Sequence, residues 1–441
     1  MKKILSKPCF YFLLTIFCVA FVEPQQFSDE LRFAIYCIPI LIGFVFIFYQ
    51  KKNHLNTLYK SPITADILLF YIISTIILII HGDFLKYGLG QLSYFIFVII
   101  SLWERDEDEI NEEVSYISML LIAMNILMTV INITIIPLFR NNPQLYVGFS
   151  ERNRLLIDGI ITQKGTRMNG IFGHPNKTGN FAAISFVSSI YLFFKAPYIK
   201  WKILSVISVM TTLLTLILTG SRTAMLMIGI FSIFFFVLLL ISGIWKERKD
   251  IKKSLLSITI IGVIFVLIFA AILALNKNYR NVFINTIIRI NSIENASGRD
   301  WIHKEAIHLG LENPLFGISQ IKLSEIIGVD AHNSYLQVFA TSGIPCFILY
   351  IIFILFSLYA SLKTVIVAIR KKETNKILLS IFLLSALTAI FAENFFERML
   401  FCLFFTPGFY GYYIIGANII LWSINKERKY CGIKQRLLFL T

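Results

Sequence analysis

The chain has 441 residues and a net charge of +15, with 57% apolar and only 15% charged residues. Ordinary soluble domains carry about 25% charged residues, so this composition excludes a string of soluble domains, a disordered chain and a small disulfide scaffold. What remains is an all-α integral membrane protein, in which a basic surplus reports topology before it reports a nucleic-acid partner.

A spanning helix needs about 20 mostly apolar residues. In chain order such segments fall at 9–22, 31–49, 63–81, 86–103, 114–138, 178–194, 203–219, 223–244, 254–275, 335–362, 377–393 and 399–424, which makes about twelve spans. The first is short and follows Lys2 and Lys3, as a signal-peptide core would. Val22-Glu23-Pro24 replaces the small-residue cleavage pattern, so it reads as a retained span. Cys9, Cys18, Cys37, Cys346 and Cys402 lie in apolar spans and Cys431 in a basic tail. They form no disulfide framework and no CxxC pattern and read as packing residues.

An even number of spans puts both termini on one side. That side collects short Lys-rich connections: Lys51, Lys52 and Lys60, then Lys195, Lys200 and Lys202, the run Lys246 to Lys253, the run Lys363 to Lys376, and the tail from Lys426 to Arg436. By the positive-inside rule it is the cytoplasm. The acidic run Glu104 to Glu113 fits this side least well, and Asp106-Glu107-Asp108 inside it reads as a solvated helix end, not a metal-binding DxD. Phosphate-binding glycine loops, HExxH and GxSxG are absent. The chain therefore carries no ATPase of its own, no metal site and no cofactor.

The opposite side carries two long segments, 139–177 and 276–334, the second partly helical and placed before span ten. On this side arginine outnumbers lysine, the reverse of the inner side. A planar guanidinium suits phosphate or carboxylate better than an ammonium does, so an anionic ligand is expected here.

Four stretches carry the candidate chemistry. Arg222 sits in the turn between spans seven and eight, where Gly220 permits a tight turn and Ser221 or Thr223 can cap the next helix. A charge at the hydrocarbon edge beside free helix amides makes an anion site; the bland alternative is an arginine snorkelling to headgroups. Arg299 stands just before a helix expected from Trp301 to Asn313, capped by Asp300 and ended by Pro314. An apolar stripe of Trp301, Ile302, Ala306, Ile307 and Leu309 should lay that helix on the membrane face, while His303 and His308 read as bystanders. His332 and Asn333 lead into span ten, with Asp330 able to cap that helix or orient the imidazole, and Gly343 and Pro345 expected to kink it. In the first outer segment Arg167 and His174 could reach the same site, with Asn176 or Thr178 capping span six. Glu393 and Arg398 flank the turn AENFFERM and could pair with each other, or Glu393 could meet a polar acceptor.

Three blocks in this order, TGSRTA (219–224), SGRDW with ENPLFGIS (297–319) and AHNSYLQVFATSGIP (331–345), resemble the O-antigen ligase/O-antigen polymerase family of bacterial membrane proteins. GIFGHPN (170–176) fits a common form of it, and the resemblance covers 165–365. It implies the lipid-sugar-dependent membrane glycosyltransferase fold and an inverting, metal-independent transfer on the outer face of the cytoplasmic membrane. The donor implied is an oligosaccharide on undecaprenyl pyrophosphate. The acceptor is a further repeat unit in a polymerase, the preferred reading, or lipid A core in a ligase. By position, Arg222, Arg299 and Arg167 would hold the pyrophosphate and His332 would be the base or position the acceptor, with Glu393 a weaker match. The same resemblance implies membrane lipids, a flippase and a chain-length regulator as partners, and no nucleic acid. The rival from another class is a lipid-linked oligosaccharide flippase, which would need charged groups along a path through the spans.

Overall fold

The computed structural model describes residues 8–22, 29–49, 62–138, 170, 172, 174–247, 249–275, 280, 284, 299–328, 330–398, 400 and 406–438. These form fifteen α-helices and no strand: α1 (Pro8–Val22), α2 (Asp29–Tyr49), α3 (Pro62–Ile80), α4 (Phe84–Ser101), α5 (Glu107–Leu138), α6 (Pro175–Lys195), α7 (Ile199–Thr219), α8 (Arg222–Ile241), α9 (Ile244–Glu247), α10 (Lys249–Leu275), α11 (Arg299–Glu312), α12 (Gln320–Ile327), α13 (Ser334–Lys371), α14 (Thr374–Glu393) and α15 (Thr406–Leu438). A helix overlaps every segment expected to span. Among the described residues five are long and apolar enough to cross a membrane, within α5, α7, α8, α13 and α14, and α1 to α4 contribute shorter apolar stretches. The last helix differs from expectation in running from Thr406 well past 424.

The chain divides into two compact units, one of Met1–Ala20, Glu30–Val114 and Gly298–Thr441, the other of Phe21–Asp29 and Ser115–Ser297. In the second unit α6 is the centre. Every residue from Thr178 to Phe194 is buried, as a helix apolar on all sides requires. Small side chains let its neighbours close in. At Gly179 a Cβ would come within 2.5 Å of the Ser221 Cβ, so the glycine is what lets the start of α8 pack on the start of α6. A polar seam joins α5 to α7: Asn125 Nδ2 donates to the Ser208 carbonyl and to the hydroxyls of Thr211 and Thr212. Interhelical bonds of this kind hold helices together in lipid, where apolar burial gives no preference.

In the first unit α13 is the organising helix. Its Tyr350, Ser357, Ala360, Ser361 and Thr364 are buried, while Ile348, Ile352, Leu355, Tyr359 and Leu362 are exposed. The exposed stripe recurs at helical spacing and is apolar, which suits lipid and not water. Also in this unit, Arg105 and Glu113 form a buried ion pair at 2.5 Å, and the Tyr413 hydroxyl donates to Glu113. Asp106 Oδ1 accepts from Glu109 N at 2.7 Å, so the acidic run begins α5 as a helix cap.

Gly343 breaks α13 at φ 72°, ψ 179° and Pro345 follows, which is the expected kink. Its purpose is visible in the partner strand of chain. Ile344 N donates to Pro314 O at 2.7 Å and Ile318 N to Ala340 O at 2.8 Å. A Cβ on Gly343 would lie 2.5 Å from Leu315 O. The PLFG turn after α11 is thus seated in the kink of α13.

The helix at 299–312 starts earlier than expected, so Arg299 lies in its first turn instead of before it. Its apolar stripe also divides. Ile302, Ala306 and Leu309 pack inward with Ile318, Leu323, Ile327, Ala331 and Ala340, whereas Trp301 and Ile307 face outward.

Candidate active site

The candidate site in the first unit is assembled where α13 begins and the turn after α14 passes it. Asn333 is the N-cap of α13: its Oδ1 accepts from Tyr335 N and Leu336 N at 2.9 and 3.1 Å, and its Nδ2 donates to Phe395 O. Ser334 N donates to Asn394 O, and the Ser334 hydroxyl donates to Asn394 Oδ1 at 2.6 Å. The Tyr335 hydroxyl donates to Phe391 O, and its ring stacks on Phe395 at 4.2 Å. The HNSY block is therefore a clasp that fixes the 394–398 turn against the start of α13. Asn333 serves it as a structural cap.

That clasp brings five charged side chains together. Glu397 Oε1 accepts from Arg299 Nη2 at 2.8 Å, and its Oε2 lies 3.3 Å from His332 Nδ1. Arg299 Nη1 also donates to Phe396 O. Asp330 Oδ1 accepts from His332 N at 2.8 Å and lies 3.5 Å from Nδ1. Arg398 Nη2 pairs with Asp330 Oδ2 at 2.7 Å, so the expected Glu393–Arg398 pair does not form. Glu393 is fully buried in the last turn of α14, and its backbone carbonyl receives Phe396 N and Glu397 N. The acid that the turn after α14 brings into the cluster is Glu397, which the sequence reading passed over; the signal for it was an acid in the turn beside Arg398.

His332 adopts φ 47°, a left-handed conformation uncommon outside glycine. The bond from its own amide to Asp330 holds it there, and such held strain is characteristic of working sites. Glu397 raises the pKa of the imidazole above its ordinary value, chiefly through the hydrogen bond; burial opposes this, Asp330 adds to it and Arg299 subtracts. Burial also works against the Glu397 carboxylate, but the His332 bond and Arg299 outweigh it and leave its pKa depressed. Asp330 is likewise depressed, because Arg398 and His332 overcome its burial. With Nδ1 committed to carboxylates, Nε2 is the nitrogen left to exchange a proton. Among the described residues Nε2 makes no hydrogen bond. His303, read as a bystander, is half-buried, and burial followed by the nearby Arg299 lowers its pKa. His308 pairs with Glu312 on the exposed face of α11.

The second unit presents Arg222 at the first position of α8. Gly220 ends α7 in the left-handed conformation and Ser221, fully buried, occupies the N-cap position without a capping bond from its side chain. Arg222 is half-buried and makes no hydrogen bond or ion pair among the described residues. A free guanidinium at a helix start is an anion-binding arrangement. His174 caps α6, its Nδ1 accepting from Asn176 N at 3.2 Å, so His174 and not Asn176 or Thr178 is the cap. Arg167 lies outside the described residues. Among those residues no cluster of His, Cys, Asp and Glu is suited to a metal ion.

No curated protein matches the chain significantly. Residues 207–351 match the family model described as O-antigen ligase. The matched segment includes Arg222, Arg299, Asp330, His332 and Asn333, and ends before the turn that carries Glu397 and Arg398. Nothing in that match supports a flippase. Over that segment, which includes parts of apolar helices of spanning length, the chain is similar to the O-antigen ligase family.

Proposed function

We propose that the protein is a multispanning glycosyltransferase that polymerises oligosaccharide repeat units carried on undecaprenyl pyrophosphate, on the outer face of the bacterial cytoplasmic membrane. About twelve spans with both termini inside would place the candidate site on that face. One observation carries the proposal: in the family-matched segment, His332 has Nδ1 within hydrogen-bond distance of the Glu397 carboxylate, while Nε2 makes no hydrogen bond among the described residues.

The chemistry follows from that geometry. The acceptor hydroxyl gives its proton to His332 Nε2 while its oxygen attacks the anomeric carbon. The bond from that carbon to the pyrophosphate oxygen breaks, and its electron pair leaves with the diphosphate. The new bond forms opposite the old one, so the anomeric configuration inverts. Glu397 holds the imidazole through Nδ1 and stabilises the imidazolium that forms, as a carboxylate does for a histidine base. Arg299, beside His332 in the same unit, offers a guanidinium to the diphosphate, whose charge grows as the bond breaks, and Arg222 is a separate candidate anion-binding group carried over from the family resemblance. Arg299 reaches the diphosphate by sharing its charge between Glu397 and the ligand. Charge stabilisation by arginine makes the transfer independent of metal, and the energy stored in the donor's glycosyl pyrophosphate drives it without ATP.

The ligase reading has one specific observation behind it, the description of the matching family model. A deletion strain separates the two. Loss of a polymerase leaves single repeat units on the lipid A core. Loss of a ligase leaves the core bare and polymer on the carrier lipid.

A further inference from the structure

Apart from the charged cluster, the first unit holds a cavity of about 60 Å3 between α3, α4 and the first turns of α13. This is well above the ~10–15 Å3 a cavity needs to hold one water, so it is room for more than one. Its wall joins polar planes and aromatic faces: Tyr71, Ser74, Gln91, Tyr94, Gln337 and Thr341. No Arg or Lys lines it among the described residues, and Asp83, its carboxylate, is already engaged by the Ser319 hydroxyl and Gln320 N. The electrostatics therefore reject a phosphate and accept a neutral, hydroxyl-rich ligand.

Gln337 identifies which wall would meet that ligand. It is 3% exposed. Its Oε1 accepts from Ala331 N at 3.0 Å, next to His332, whereas Nε2 has no hydrogen-bond partner. A buried amide left without a partner costs about 1–3 kcal/mol. A stabilised core would fill the space with apolar side chains, yet here the donors of Gln337 line a cavity that already holds Ser74 and Gln91, themselves bonded to one another. Amide planes that donate and accept beside aromatic faces match a pyranose, which has hydroxyls at its rim and C–H groups on its faces.

We infer that this cavity binds a sugar ring of the acceptor saccharide, with Gln337 Nε2 donating to a ring hydroxyl. The inference rests on the transferase reading. It adds a place for the acceptor, because Gln337, in the first turn of α13, links the cavity to the backbone of Ala331 next to the proposed base.

The test uses purified full-length protein in lipid nanodiscs and two probes: the free repeat-unit oligosaccharide, released from lipid-linked units of a strain lacking this protein, and undecaprenyl pyrophosphate. The wild type should bind the oligosaccharide saturably. Gln337→Leu should bind it about tenfold more weakly, the loss expected for one hydrogen bond. Ser74→Leu, which fills the cavity from the α3 side, should abolish that binding. Both variants should retain wild-type binding of undecaprenyl pyrophosphate, which also establishes that they are folded. Equal oligosaccharide binding by all three proteins overturns the site, as does a wild type that binds the lipid pyrophosphate but not the sugar. A wild type that binds neither probe overturns the transferase reading itself. If one variant does not fold, the other decides by the same comparison.

Discussion

The carboxylate of Glu397 joins Arg299 to His332, with one oxygen 2.8 Å from the guanidinium and the other 3.3 Å from the imidazole Nδ1. A single acidic side chain thus links a proposed anion-binding group to the proposed base. Its side chain is only 12% exposed, so the coupling acts with little screening by water.

The first consequence concerns pH. His332 must be neutral to accept a proton, and Glu397 raises its pKa. The acid limb of the rate profile should therefore lie above the ordinary histidine value of about 6.5. Glu397→Gln removes the main cause of that rise, so the limb should move to lower pH. Turnover on the plateau should fall about 10- to 100-fold, because the imidazolium formed in the transition state loses its partner. A pH–rate series on the two proteins checks both shifts.

Arg222 is expected to act through its charge and its fork. Arg222→Ala should lower kcat by about 100-fold, the scale of losing one transition-state donor. Arg222→Lys should recover only part of this, since an ammonium cannot bind two phosphate oxygens in the same plane. Steady-state kinetics with equal expression and equal melting temperature isolate the effect.

The Asp330–Arg398 pair should be a stability element of the site. Arg398→Ala leaves Asp330 charged and poorly compensated, at a cost of about 1–3 kcal/mol. The Asp330 pKa is depressed in the folded protein, so this stabilisation is complete above the unfolded value of about 3.9 and fades as pH falls through the folded value. Thermal melts of Arg398→Ala should show the full deficit at pH 7 and a shrinking one in acid. Asp330→Asn in the same background should recover part of it at pH 7.

Gly343 should tolerate no side chain. Alanine there would sit at φ 72° with its Cβ 2.5 Å from a backbone oxygen of the PLFG turn. Strain of about 1–3 kcal/mol at that dihedral adds to the clash. Gly343→Ala should lower the melting temperature and free the 314–318 turn, which faster hydrogen exchange at Ile318 and Ile344 would reveal.

Much of this architecture could be read in the residues. Long apolar segments marked the helices because a bilayer fixes their length, and Gly343-Ile344-Pro345 announced its kink. His332, Asp330 and Arg299 were recognisable because polar groups at span ends are few. Other features depended on contacts that no spacing encodes. Glu397 lies far from His332 in sequence, and only the clasp built by Asn333, Ser334 and Asn394 brings the two together. Glu393 attracted notice as an acid near a turn, yet the helix buries it while the turn presents Glu397. His174 looked like a ligand-facing group and proved to be a cap, since its ring nitrogen can accept an amide as a carboxylate does. The cavity beside Gln337 has no sequence signature, being formed by helices distant along the chain.

The most direct test of the account is transfer by the purified protein in nanodiscs supplied with lipid-linked repeat units. Wild-type protein should make longer glycans and release one undecaprenyl pyrophosphate for each new bond, and His332→Ala should bind the lipid-linked substrate normally while losing at least about 100-fold in turnover. Wild-type turnover by His332→Ala would contradict the assignment of the base, and a wild type that forms no glycosidic bond with either repeat-unit or lipid A core acceptors would contradict the account as a whole.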